Sequence, residues 1–495
     1  MSFCVNLPLF CIVACLLCSV ISSVLRGKAA RYVSLFLTAG VFSASILVLI
    51  YVNQKGTVTY LMGHYPHPWG NELRLGITES LFSAVFSSVM FFCLLGAGKQ
   101  LRRDLAPKKS NLYYIMTDLI LAALLVLCYT NDIFTGYVFI EICTIASCGI
   151  LMIRQIGRTT LASVRYMIFS LIGSGLFLFG VVILYSVTGQ LLMPNLKDRV
   201  SVLWSVGAYR IPLVSSLCLI SIGLAIKSGL FPFHFWMPDT YGTATPGSAG
   251  ILSGLVSKGY ILFLLKIIFD VFGTEVIYQT GVQNIFYVFG ILGIIVGSIS
   301  AMRENDIFRM IAYSSAAQIG YIYMGIGISP SFGITAALFH VLTHAVTKPA
   351  LFLSAAQLSD AAGGKKRFRE LQGMAHVNRF AGAAFAAGAF SMIGLPLTMG
   401  FISKYLFAVS AFRANVKLIP TLIALAVSTV LNTFYYARTV IRLFNRPQDD
   451  LSVKISFQNQ PAYAITAAAL AAMNFAAGVA AQPLCELLTK GLGQF

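Results

Sequence analysis

Charge is scarce in this sequence. Only 11% of its 495 residues are charged and 58% are hydrophobic, where a soluble globular chain carries about 25% charged residues. That shortage excludes an ordinary soluble domain, because apolar runs of membrane-spanning length recur throughout. Acidic residues are the rarest: 17 Asp and Glu stand against 35 Lys and Arg. The basic surplus sits in short loops between apolar runs, which fits cytoplasmic retention of positive loops and not nucleic-acid binding. Cysteine clusters are lacking too. Most of the ten cysteines lie inside apolar runs, where the thiol packs as a small hydrophobe. The CxxC formed by Cys15 and Cys18 has no second pair, so it supports packing rather than metal or redox chemistry. No basic residues precede the first apolar run, "LPLFCIVACLLC", which therefore reads as a retained span rather than a secretory leader. Nucleotide, flavin and metal motifs are also missing. The "GIG" at 325–327 follows no strand and is helix packing, not a dinucleotide fingerprint. No cofactor or metal is expected, and any redox chemistry must come from other chains.

What the sequence does contain is hydrophobic runs. Hydropathy predicts an all-α polytopic membrane protein with about fourteen spans, the first near 7–25 and the last near 461–482. Two are interrupted, near 208–230 and 378–412. The largest irregular piece outside the bilayer core is 53–75. Odd-numbered loops carry most of the lysine and arginine, including Lys28, Arg31, Lys99, Arg102, Arg103, Arg154, Arg158, Lys365, Lys366 and Arg367. Odd loops then face the cytoplasm and both termini the outside of the cell's inner membrane.

Against this apolar background a few ionisable residues stand out. Each costs about 2.5–3.5 kcal/mol at mid-membrane on insertion scales and needs a reason. Glu141 sits inside "GYVFIEICTIASCGIL", Lys227 ends "LCLISIGLAIK", and Lys258 centres "AGILSGLVSKGYILFLL". His340, His344 and Lys348 recur at i, i+4, i+8 in "FHVLTHAVTKPALFL", which places them on one helix face. Lys404 lies in "GLPLTMGFISKYLF", and Asp118 sits nearer the end of its run in "YYIMTDLILAALL". A single buried charge can be a structural pair, but a row of amines is better explained by proton binding and release. The helix breaks support this. Pro232 follows Lys227 by five residues and Pro396 precedes Lys404 by eight. Proline frees backbone carbonyls, which are tolerated at membrane depth only beside protein or water. Paired broken helices point to an ion site in a transporter built from repeats. His234, just past the first break, can link the row to water; Trp236 and Asp239 read as an interfacial turn.

"KSGLFPFHFWMPDTYGTATPGSAGILSGLVSKGY", "MIAYSSAAQIGYI", "HVLTHAVTKPALFL" and "GLPLTMGFISKYLF" follow in order along the chain. Together they resemble the antiporter-like subunits of respiratory complex I, Mrp-type cation/proton antiporters and membrane-bound hydrogenases, over roughly residues 70 to 445. The resemblance implies two inverted five-helix repeats, each with one broken helix. Residues 1–110 would hold helices one to three, 111–270 the first repeat, 282–445 the second and 446–495 the last helix. It also implies that Glu141 pairs with Lys227, that Lys258 is the central lysine, and that His340 and His344 connect it to a terminal Lys404. Thr240, Tyr241 and Leu397 depart from the family pattern without touching the lysine row. Lys404 in the terminal position and the short tail make the D-type Mrp protein and its hydrogenase relative the best match. Partners would be other small membrane subunits, including homologous antiporter-like ones, and the lipid bilayer. The rivals are a complex I subunit, a free-standing proton- or sodium-coupled transporter, and a scaffold whose charges are relics.

Overall fold

The computed structural model describes residues 2–65, 70–106, 109–329, 331–446 and 460–493. Helix dominates. The helices that frame the site are α1 (Ser2–Val24), α2 (Gly27–Lys55), α3 (Ile77–Gly96), α4 (Ser110–Tyr129), α5 (Ile133–Met152), α6 (Gly157–Thr188) and, beyond a further helix over Met193–Val206, α7 (Arg210–Ser228). After α7 come short turns and then α8 (Ser257–Ile267), α9 (Val282–Arg303), α10 (Ile307–Ile328) and α11 (Phe332–Ala361). The series closes with α12 (Arg379–Ile393), α13 (Met399–Arg413), α14 (Leu418–Phe444), α15 (Pro461–Val479) and α16 (Ala481–Leu492). Strands β1 (Val58–Leu61) and β2 (Glu72–Leu75) pair antiparallel. They give the expected irregular 53–75 piece a hairpin; residues 66–69 lie outside the described residues.

Among the described residues, eleven helices are long and apolar enough to cross a membrane. The expected fourteen is therefore met in outline and not in count. The remaining candidates are interrupted or more polar: α8 is flanked by π-helical turns, α10 carries several hydroxyls, and α12 and α13 have 15 residues each.

Local chemistry starts these helices where the sequence changes character. Asp132 accepts from the Thr135 N–H at 2.6 Å to open α5, and Asp306 accepts from the Phe308 and Arg309 N–H groups to open α10. Asn378 and Thr398 cap α12 and α13 in the same way. Each cap satisfies donors that a helix start would otherwise leave unpaired. Helices α1 and α2 expose much of their length, whereas α3, α4, α8, α10 and α11 are almost wholly buried. The interior of the molecule is thus a helix-on-helix core built around α8 and α11, the two helices that carry Lys258, His340, His344 and Lys348.

Candidate functional site

Both predicted breaks occur. Helix α7 ends at Ser228, Gly229 follows at φ 82°, and Pro232 precedes a tight turn over Phe233–Trp236. Between α12 and α13, Gly394 stands at φ 91° and Pro396 lies in the gap. A left-handed residue closing a helix favours glycine, which has no Cβ to clash.

Lys227 is 1% exposed. Its Nζ donates to Thr144 Oγ1 at 2.7 Å and lies 5.6 Å from the Tyr260 ring centroid. Glu141 is half-buried on α5, three residues before Thr144 and so on the same helix face. The expected Glu141–Lys227 pair is not closed in this state: the lysine is held by the hydroxyl one turn away. Lys258 is fully buried. Its amine donates to the Ser253 carbonyl oxygen and to Ser257 Oγ. Ser253 lies in the π-helical turn Leu252–Val256 that leads into α8. Nothing in the sequence pattern announces this turn. Such turns widen the backbone ladder and concentrate at functional sites.

From Lys258 the polar contacts continue. Ser253 Oγ and Ser315 Oγ are 2.9 Å apart, and Ser315 Oγ donates to the Ile311 carbonyl. Lys348 Nζ donates to that same carbonyl at 3.1 Å and to Ser314 Oγ at 2.8 Å, and Ser314 in turn meets the Tyr436 hydroxyl. Each of the two buried amines donates to a backbone carbonyl, Lys258 to Ser253 and Lys348 to Ile311, and the Ser253 and Ser315 hydroxyls span the distance between those acceptors. His344 is fully buried, and neither ring nitrogen has a hydrogen-bond partner among the described residues. A buried polar group of that kind needs a partner, and water is the usual one. The His340 and His344 ring centroids are 6.4 Å apart. His340 Nδ1 sits 2.6 Å from Ser403 Oγ on α13. Next to Ser403, Lys404 is half-buried and donates to the Ile393 carbonyl at 2.7 Å and to Thr429 Oγ1 at 3.0 Å.

The structure thus ties Lys258 to Lys348 and, through Ser403, sets His340 beside Lys404, with His344 between on α11; Lys227 forms a separate group with Thr144, one turn from Glu141. It does not bring in the other two. Asp118 is buried against α2, accepting from Ser34 Oγ at 2.8 Å. The His234 ring stacks 4.7 Å from Phe235 and 5.7 Å from Phe231. In the turn after the first break, Asp239 accepts from both Arg165 and Arg309, and Lys366 donates to the Gly242 carbonyl at 3.0 Å. Burial holds the Lys366 amine below its usual range, against the opposing pull of Asp306.

Sequence reasoning missed a second buried ionic group: Arg74, Glu79, Lys266 and Asp270, at the end of the bundle that carries the hairpin. Arg74 donates to Asp270 at 2.6 Å, and Lys266 donates to the carbonyls of Cys128 and Thr130 at 2.7 Å each. Lys266 stands in "LFLLKIIFD", as apolar a setting as that of Lys258.

A row of buried amines and imidazoles beside two broken helices is the site of an ion-translocating membrane protein. Residues 130–431 match the family described as NADH:quinone oxidoreductase/Mrp antiporter, transmembrane, and the chain belongs to it. The N-type subunit of the NADH-quinone oxidoreductase of Desulforudis audaxviator is 33% identical over 387 residues, covering 77% of this chain and 74% of that protein. The D-type subunit of the Na(+)/H(+) antiporter of Alkalihalophilus pseudofirmus is 26% identical over 456 residues, 92% of this chain and 90% of that protein. The fold matches a chain of the membrane-bound sulfane sulfur reductase, an archaeal respiratory membrane complex, with a TM-score of 0.88 at 23% identity. That match covers 100% of this chain and 97% of the other.

Proposed function

We propose that this chain is the proton-translocating, antiporter-like subunit of a multisubunit complex in the cytoplasmic membrane, with both termini outside. The observation that carries the reading is the pair of buried amines, Lys258 on the Ser253 carbonyl and Lys348 on the Ile311 carbonyl, with the Ser253 and Ser315 hydroxyls between them and the unpartnered His344 ring on the same helix as Lys348. Protonated lysines only donate, and neutral ones can accept. A row of them that also lacks carboxylates beyond Glu141 suits passing protons better than holding a metal cation. In the resting state Lys227 is held by Thr144. A shift of about one helical turn along α5 would bring it to Glu141. Pairing there favours the charged amine, and release sends its proton toward Lys258. His344 and His340 relay it to Ser403 and Lys404.

Other membrane subunits, homologous antiporter-like ones among them, are the expected partners and would supply any redox chemistry. The test is proton-coupled transport by everted vesicles carrying the assembled complex. Lys258→Ala abolishes transport while the complex still assembles; a wild-type rate in that variant would remove the mechanism. A second reading, a component of an NADH-quinone oxidoreductase, is favoured by the 33% identity to an N-type subunit of such a complex. The proteins that copurify with the chain decide between the two.

A further inference from the structure

The missed ionic group has the features of a built site. Glu79 is 4% exposed, on the first turn of α3. Its Oε1 has no hydrogen-bond partner among the described residues, although Arg74 Nε lies 3.7 Å away and Lys266 Nζ 3.8 Å away. Those separations are too long for hydrogen bonds and of the kind that one water bridges. A cavity stands beside the carboxylate, lined by Thr78, Glu79, Cys128, Leu262, Lys266 and Leu492, among others. It offers 20 Å³ to the centre of a water molecule, where one water needs about 10–15 Å³.

The position of the cavity is informative. Lys266 is eight residues beyond Lys258 along the same helix, about 12 Å at 1.5 Å per residue. The cavity wall reaches back to Leu262, one turn from Lys258, and to Leu338, two residues before His340. One wall comes from Leu492 on α16, which lies against the start of α3.

The groups around Glu79 have their direct hydrogen bonds elsewhere. Lys266 spends two donors on the carbonyls at the end of α4, and Arg74 is committed to Asp270. Asp270 also feels Lys197. Glu72 is held by Asn131 Nδ2 at 2.7 Å. Helix α11 contributes only Leu338 to the cavity, and Lys490 on α16 is turned away to Asn53. Glu79 is thus the carboxylate of this group left facing the cavity without a direct hydrogen bond on Oε1.

From these contacts we infer that Glu79 is a proton-exchanging group of a port at the hairpin end of the bundle, taking a proton from the Lys258 region through water in the cavity and passing it outward beside Lys266 and Leu492. The inference rests on the proton-translocating reading. Glu79 lies outside residues 130–431, the stretch that matches the family model.

The experiment uses the assembled complex in everted vesicles. Glu79→Gln lowers proton-coupled transport about 100-fold, the low end of what a positioned proton-transfer group supplies. Glu79→Asp restores part of it. Infrared difference spectra of the wild type across a pH titration show a protonated-carboxyl stretch that Glu79→Gln loses. If Glu79→Gln prevents assembly, Leu492→Trp fills the cavity from α16 while leaving every residue of the ionic group unsubstituted, and it too slows transport. Wild-type transport in Glu79→Gln, or in Leu492→Trp where Glu79→Gln does not assemble, overturns the port. An unchanged carboxyl band overturns it as well. If Lys258→Ala is inactive while Glu79→Gln is normal, only the port fails; if both are normal, the proton-translocating reading fails with it.

Discussion

The two broken helices solve one problem in different ways. Each ends on a left-handed glycine, each contains a proline, and each places a lysine amine near the gap. At the first break the lysine belongs to the helix before the gap and reaches across to α5, where Thr144 holds it and Glu141 waits one turn off. At the second the lysine belongs to the helix after the gap and reaches back to the free carbonyl of Ile393. A cation is favoured at a helix C-terminus, where unpaired carbonyls point along the axis. Lys404 therefore closes its own break, and Lys227 bridges to another helix. The first arrangement can change partners; the second is anchored by backbone.

Removing each lysine in turn probes this contrast most strongly. Lys227→Ala is expected to lose about 100-fold in coupled transport and to leave Glu141 without its cation. Lys404→Ala is expected to lose clearly less, because water can take over the Ile393 carbonyl at a half-buried position. Equal losses, measured as initial rates in everted vesicles, would erase the distinction. A smaller effect separates the hydroxyl partners. Thr144→Val removes the hydrogen-bond acceptor of a buried amine and is expected to cost about 2 kcal/mol, whereas Thr429→Val leaves Lys404 its carbonyl and costs about 1 kcal/mol. Thermal unfolding of the purified complex reads both, and the reverse order would show that Lys404 depends on its side-chain partner.

The smallest effect concerns the clamp that ties the turn after the first break to the loop after α11. The Lys366 amine is held below its ordinary 10.5 by burial. Between the two values the unfolded chain binds that proton and the folded chain does not, so stability rises with pH across that window. Lys366→Met should flatten the slope by a fraction of a kcal/mol. An unchanged slope in unfolding scans would assign it to another group.

Much of this was legible in the sequence because charge in an apolar run is a loud signal. Lys227, Lys258, His340, His344, Lys348 and Lys404 were readable one by one, and the prolines marked both gaps. Their partners were not. Thr144, Ser253, Ser315 and Ser403 are small hydroxyls that occur in any membrane helix, and only packing shows which of them meets an amine. The π-helical turn before Lys258 left no mark either, since Ser, Gly, Leu and Val fit an ordinary helix as well. Glu79, Arg74 and Asp270 sit at the ends of apolar runs, where charge reads as interfacial. Lys266 was the available clue, with the same apolar flanks as Lys258. Asp118, set nearer the end of its run, is buried at the contact between α2 and α4.

Lys258 is tethered to its own helix, bonded to a carbonyl five residues back and to the adjacent serine. Neighbouring helices can slide or tilt without breaking those bonds. On the proposed reading, such motion would change which groups come within reach of the amine while the amine stays put, a fixed pivot for the rest of the bundle.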